Sequence, residues 1–302
     1  MAYPMENQKG RYFGIFWIIF NSGAFIGGLL TLCGLNYSTV NVSFVALTIL
    51  SGILSLLLIN PATVVRGDGT RVTTKTKFQL HHEIRQIPHA FLHRKLLLLV
   101  PLFFYSNWFY SYRFRNFNNE LFSVRTHAFN AMFYWASQML GSLTFGQFLD
   151  NPLFTRPKRA LLGLLFLTVF YTTTWAGCII LELSRSSIVA QGGIDIVDNN
   201  YIGSLVLLLL CGISDAMIQT WCYWILGAIT NNAMILSRFS GFYKCIQSAG
   251  TAISWYIPLL HVSPMLLVII NCSLFLGSIP FAYLAAKGIS KANHIPVHTD
   301  DP

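Results

Sequence analysis

Asp215, Gln219 and Tyr223 recur at i, i+4 and i+8 inside the apolar run "SLVLLLLCGISDAMIQTWCYWILG". A helix would set the acid, the amide and the phenol on one face. Those groups can take up a proton and pass hydrogen bonds along. They lack the base and oriented nucleophile that acyl or phosphoryl chemistry needs. Lys244 is a second conspicuous charge. It lies in "GFYKCIQSAG", and no Asp, Glu, Lys or Arg follows it until Lys287. Gln247, Ser248, Thr251 and Trp255 share its helical face. Asn107, Tyr110 and Ser111 make a third polar face, and His127, Asn130, Tyr134, Gln138 and Gly141 a fourth. Polar faces on apolar helices turn away from lipid. Asn107, Asn130 and Gln138 then either line a cavity or tie helices together, and their types allow both.

Other chemistries find no support. The chain has no HExxH, nucleophile elbow or Gly-rich phosphate loop, so an enzyme is not expected. None of the six cysteines forms CxxC or a zinc-spaced Cys/His pair, and five lie in apolar runs, where a thiol acts as a small hydrophobe. Neither a metal nor another cofactor is expected. The histidines of "FQLHHEIRQIPHAFLHRK" fit a short amphipathic segment on a membrane surface better than a ligand shell.

The elements that must position these groups follow from composition. Of 302 residues, 54% are hydrophobic and 10% charged, and mean hydropathy is +0.55. Soluble domains carry about 25% charged residues, so the natural solvent is a bilayer. Charge-free runs long enough to cross it fall at 12–32, 42–60, 95–112, 127–149, 159–181, 201–228, 237–260 and 265–286, or about eight helices. The runs are continuous rather than alternating, which excludes a barrel. Asp215 stands about 14 residues, roughly 20 Å, from either end of its run, at the bilayer midplane. A carboxylate there is costly unless paired, hydrated or protonated, and protonation coupled to a conformational change is the functional expectation. Lys244 lies roughly 9 Å inside Arg238, close enough to the surface to snorkel or to stand at the mouth of a cavity.

The net charge is +9, yet its distribution reads as topology rather than nucleic-acid binding. Lys9, Arg11, the basic residues of 61–95, Arg156, Lys158, Arg159, Arg238, Lys287 and Lys291 fall on one side. Arg113, Arg115, Arg125 and Arg185 fall on the other. By the positive-inside rule both termini face the cytosol, in a plasma membrane or endomembrane. The opening "MAYPMENQKGR" is too polar for a signal peptide. Sequons at Asn36 and Asn41 fall on the non-cytosolic side and are candidate glycosylation sites.

"GQFLDNPLFTRPKRA" (146–160) resembles the cytoplasmic signature loop of the major facilitator superfamily, through Gly146, Asp150, Arg156, Lys158 and Arg159. Its glycine permits close helix approach and its aspartate can meet a helix N-terminus. The stretches 106–142, 214–232 and 237–255, with 3–27, resemble the Unc-ninety-three-like ion channel regulatory family in its fungal form. That likeness covers about 3–287. It implies an all-α polytopic bundle of major facilitator type, two six-helix halves around a cavity. The chain would hold the last two helices of the first half (1–60), a cytosolic inter-half loop (61–94), the six-helix second half (95–287) and a cytosolic tail (288–302). The first four helices of the family would be missing, so the chain reads as N-terminally incomplete. The resemblance places "GFYKCIQSAG" in the eleventh helix, whose cytosolic end would receive Asp150. Tyr256 stands where fungal relatives would carry an arginine. The implied function is transport of a small solute or ion by alternating access. The alternative is a non-transporting regulator or escort of a channel or receptor subunit. The implied partners are the lipid bilayer and that solute or subunit, with no nucleic acid.

Overall fold

The computed structural model describes residues 4, 8–33, 37–58, 63–65, 69, 92–230 and 232–289. The amphipathic segment around His82, His89 and Pro88, the sequon residue Asn36 and the C-terminal tail lie outside them. The described helices are α1 (Lys9–Leu32), α2 (Tyr37–Ser55), α3 (Arg94–Tyr105), α4 (Val124–Leu149), α5 (Arg156–Leu183), the short α6 (Arg185–Ala190), α7 (Tyr201–Ile229), α8 (Ala233–Tyr256) and α9 (Pro264–Lys287). A π-helical stretch, Tyr112–Asn119, follows α3. Among the described residues there is no strand; Phe122 and Ile194 form an isolated bridge.

α1, α2, α5, α7 and α9 are each long and apolar enough to cross a bilayer. Large apolar side chains such as Ile19, Leu57, Ile180 and Leu284 point outward, as a lipid-facing surface requires. The chain is an all-α, multi-pass integral membrane protein. α4 and α8 carry the polar faces, which lowers their apolar content, and α3, at 12 residues, is too short to cross alone.

α4 and α7 form the centre. α1 lies along α4, and α9 packs on α3 and α5. The α1–α4 contact is close because both helices place a glycine at the crossing. A Cβ on Gly146 would stand 2.3 Å from the Gly10 carbonyl oxygen, and the converse also holds. An aromatic cluster fills the α3–α5–α9 interior: Tyr171 stacks on Phe275 at 4.5 Å, and Trp175 Nε1 donates to Tyr105 OH at 2.8 Å. Asp150 meets the start of α1, where Lys9 reaches the end of α7, and Asp195 meets Ser123 just before α4, so the bundle has an Asp150 end and an Asp195 end.

Two expectations change. The span 95–112 is not one helix. α3 stops at Tyr105, the chain turns through 106–109, and the π-helical stretch carries it on to Asn119. Arg113 therefore lies within the bundle, 3% exposed, and is not a loop charge. Pro258 sits in a 3-10 turn after α8 has ended. Gly27 lies against the Phe44 ring of α2. Nothing stands within 4 Å of a Cβ at Gly23 or Gly241, and Cys245 and Ala249 are exposed, because no described helix covers that face of α8. Asn41 lies inside α2 and is exposed.

Candidate functional site

The central site grows from α7. Asp215 is the middle residue of Tyr201–Ile229 and is fully buried. Its Oδ2 accepts from Tyr134 OH at 2.9 Å and from Gln138 Nε2 at 2.6 Å, both on α4. Oδ1 makes no direct hydrogen bond, and the Tyr110 and Gln219 side chains lie beside the carboxyl. α4 and α7 can place these groups at bonding distance because Gly212 faces Ser137, where any side chain would collide with the Ser137 hydroxyl. Gln138 carries the link to α1: its Oε1 accepts from Trp17 Nε1 at 3.1 Å and Asn21 Nδ2 at 3.2 Å.

Arg113 completes the centre. Its Nη1 donates to the Cys211 carbonyl at 2.9 Å and to Tyr134 OH at 3.4 Å, and Nη2 donates to Ser214 Oγ at 3.2 Å. Its guanidinium lies over the Phe109 ring, 4.1 Å from the centroid. A lone buried charge costs several kcal/mol, so the opposite charge one hydroxyl away is what makes both tolerable. Sequence reading missed Arg113 because it follows the break at 106–109. The available signal was the Phe109 ring four residues before it.

One turn along α7, towards the Asp150 end, a second cluster forms. Gln247 Nε2 donates to Gln219 Oε1 at 3.0 Å, Asn107 Oδ1 at 3.1 Å and Ser106 Oγ at 2.9 Å. Gln219 bonds to Asn107, and Tyr243 OH donates to Gln219 Oε1 at 2.8 Å. Lys244 Nζ donates to Gln247 Oε1 at 2.7 Å and lies 5.4 Å from the Tyr223 ring centre. This corrects the depth expected for Lys244. α8 begins at Ala233, eleven residues before it, so the lysine sits roughly 16 Å from the helix start, level with Gln219 rather than near the surface. It is exposed on the open face of α8, with its ammonium on the cluster. Asn130 stands apart. It bonds Asn118 at 3.0 Å and Tyr201 at 2.9 Å near the Asp195 end, where it joins α4 and α7 to the π-helical stretch.

At the Asp150 end the loop residues also separate. Asp150 ends α4 beside the first turn of α1. Its Oδ1 accepts from the Gly10 N–H at 3.0 Å and its Oδ2 from the Arg11 N–H at 2.7 Å. The carboxylate thus caps α1, where four N–H groups lack helical partners and the dipole is positive. It does not go to the end of α8, as the resemblance implied, because the Gly10–Gly146 contact brings α1's N-terminus against α4's C-terminus. Burial pushes the Asp150 carboxyl above its usual range, against the pull of the Arg11 and Gly10 N–H groups. Arg159 Nη1 donates to the Leu149 carbonyl at 2.9 Å and so closes the end of α4. Arg156 is buried and Lys158 exposed. Lys9, which sequence reading treated only as a topology charge, donates from Nζ to the Gly227 carbonyl at 2.8 Å, near the C-terminus of α7. The first turn of α1 is therefore held by α4 through Asp150 and by α7 through Lys9.

At the opposite end, Glu182 accepts from Tyr112 OH at 2.5 Å and pairs with Arg185, which also reaches Glu120 at 2.8 Å. Asp195 accepts from Ser123 Oγ at 2.6 Å and pairs with Arg125.

The chain is similar to UNC93-like protein 1 of Arabidopsis thaliana, 36% identical over 295 residues, covering 94% of this chain and 64% of that protein. It is similar to UNC93-like protein C922.05c of Schizosaccharomyces pombe, 34% identical over 278 residues, covering 88% of this chain and 55% of the relative. Notoamide biosynthesis cluster protein O' of Aspergillus versicolor is 23% identical over 312 residues, covering 99% of this chain and 66% of the relative. The chain spans less than two thirds of the length of the two UNC93-like proteins. No family model and no solved structure matches it.

Proposed function

The chain belongs to the UNC93-like family, and from that premise we propose that it works as a carrier of major facilitator type, with Asp215 as its proton-coupling residue. It moves a small solute or ion by alternating access, with both termini in the cytosol and no enzymatic step. The observation that carries this reading is the asymmetry of Asp215. Oδ2 accepts from Tyr134 and Gln138, whereas Oδ1 is buried and makes no direct hydrogen bond, with the Tyr110 and Gln219 side chains beside the carboxyl. Oδ1 is the atom that takes the proton. Protonation removes half of the Asp215–Arg113 charge balance and weakens the α4–α7 contact that Tyr134 and Gln138 make. Gln138 passes the change to α1 through Trp17 and Asn21. The Asp150 cap and the Lys9–Gly227 bond form the latch that this movement opens and closes. Lys244 and the Gln219–Gln247 cluster face the solute path.

A regulatory role is the second reading, favoured by one observation: α2 packs only lightly, against α1, and one face of α8 is exposed. There another membrane protein, such as a channel or receptor subunit, would seat. The two readings separate in proteoliposomes that hold the full chain and a pH-sensitive dye. A panel of sugars, amino acids, nucleobases and organic anions is added outside. The carrier reading expects at least one solute to drive proton entry in the wild type and none to do so in Asp215→Asn. If no solute moves protons while a membrane protein co-purifies in fixed ratio with both forms, the regulatory reading takes its place.

A further inference from the structure

A large cavity lies away from the polar centre. It is about 1010 Å³ and opens between α5 and α7 at the Asp195 end. Its polarity is graded. Ser184, Gln191, Asp198 and Asn200 surround the mouth, whereas Ile180 and Leu207 line the part that runs between the helices. Gly177, on α5, lies about 10 Å along the helix from Ser184, so the cleft reaches about two turns below the polar rim. The volume is at the top of the roughly 300–1,000 Å³ range of small-molecule sites. The walls belong to two helices that cross the bilayer, and Ile180 is 68% exposed. An occupant that enters from the side must therefore be apolar along its length and polar at one end.

Charge narrows the choice. Asp198 is the one charged residue among those that line the cleft. Arg185, next to Ser184 in sequence, is engaged by Glu120 and Glu182, and Arg125, which reaches the loop that carries Asp198, is engaged by Asp195. The Asp198 carboxylate is exposed and its Oδ2 accepts from the Asp195 N–H at 2.7 Å, so a head with a net negative charge would meet a like charge, whereas a hydroxyl or ammonium would donate to it. We propose that the cleft binds one membrane lipid with a non-anionic, hydrogen-bond-donating head, its apolar body against Ile180 and Leu207 and its head beside Asp198. A sterol hydroxyl and an ethanolamine ammonium share that chemistry. The site makes no use of Asp215 and stands or falls apart from the carrier reading.

The test uses the full chain in vesicles doped with one of three diazirine-bearing probes: a sterol, a phosphatidylethanolamine or a phosphatidylglycerol. Crosslinks are mapped by peptide mass spectrometry. The sterol or the ethanolamine lipid should label the segments around 177–184 and 203–210, and the glycerol lipid at most one fifth as strongly. Gly203→Phe should cut labelling at least fivefold. Nothing stands within 4 Å of a Cβ at Gly203, so a ring there fills the cleft without striking backbone. Ile180→Trp blocks the cleft from the opposite wall and serves if the first variant folds poorly. Asp198→Asn should narrow the gap between the ethanolamine and glycerol lipids. Equal labelling of the wild type and both cleft-filling variants would overturn the proposal, as would labelling by the anionic lipid as strong as by the other two.

Discussion

Arg113 and Asp215 share one hydroxyl: Tyr134 OH accepts from Arg113 Nη1 at 3.4 Å and donates to Asp215 Oδ2 at 2.9 Å. The cation arrives on a π-helical stretch after α3, the anion on α7, and the bridge on α4. Three elements thus meet at one polar point inside an apolar bundle. Removing either charge leaves the other buried and uncompensated, which costs about 3–5 kcal/mol for such pairs. Arg113→Ala should therefore lower the thermal midpoint of the purified protein sharply. The double variant Arg113→Ala/Asp215→Ala should lose less than the sum of the two single losses. Additive losses, measured in a double-mutant cycle, would show that the two charges do not act on each other.

Tyr134→Phe keeps the ring and removes only the bridge. It deprives Asp215 of one donor and Arg113 of one acceptor, while Gln138, Cys211 and Ser214 stay in place. A loss of about 1–3 kcal/mol is expected, smaller than that of Arg113→Ala. Denaturation of both variants in the same detergent checks the ranking.

Asp150→Ala leaves the Gly10 and Arg11 N–H groups without their cap. Loss of an N-cap acceptor costs about 0.5–2 kcal/mol. Hydrogen exchange at the first turn of α1 should quicken, while exchange in the middle of α7 stays unchanged. Gly146→Leu acts on the same junction by sterics, since its Cβ would meet the Gly10 carbonyl at 2.3 Å. The helices must part, and the yield of folded protein should fall further than with Asp150→Ala.

The loop at the other end answers to pH. The Ser123 hydroxyl and the Arg125 guanidinium hold the Asp195 carboxyl down at about 2. Its folded value lies below the ordinary carboxylate value of about 3.9, so the contact stabilises the loop fully above pH 4. That contribution fades as pH falls from about 4 through about 2. Protection of the Ile194 amide, which donates to the Leu121 carbonyl at 2.8 Å, should hold at pH 5 and drop in that window. In Asp195→Asn the protection should be low and flat across it.

The fold was largely legible because its signal is local. Long apolar runs, punctuated by charged loops, mark membrane helices whatever they pack against. Asp215 was legible for the same reason, as an acid at the centre of such a run. Arg113 was not. The apolar stretch breaks at 106–109, and the i→i+5 pitch of a π-helix leaves no pattern that distinguishes a buried arginine from a loop arginine. The partner of Asp150 was also hidden, since the contact spans about 140 residues and depends on two glycines meeting across helices. The depth of Lys244 was hidden because Arg238, the last charge before it, lies inside α8 rather than at its start. Asn232 caps α8 at Met234 and Ile235, one and a half turns earlier.

The central claim is that Asp215 Oδ1 takes up and releases a proton while the bundle stays folded. Infrared difference titration of the full chain in lipid vesicles tests it most directly. On acidification the wild type should gain a protonated-carboxyl stretching band that Asp215→Asn lacks, and Tyr134→Phe should shift that band by removing a donor from Oδ2. Identical difference spectra for the wild type and Asp215→Asn, with both proteins folded, would contradict the account.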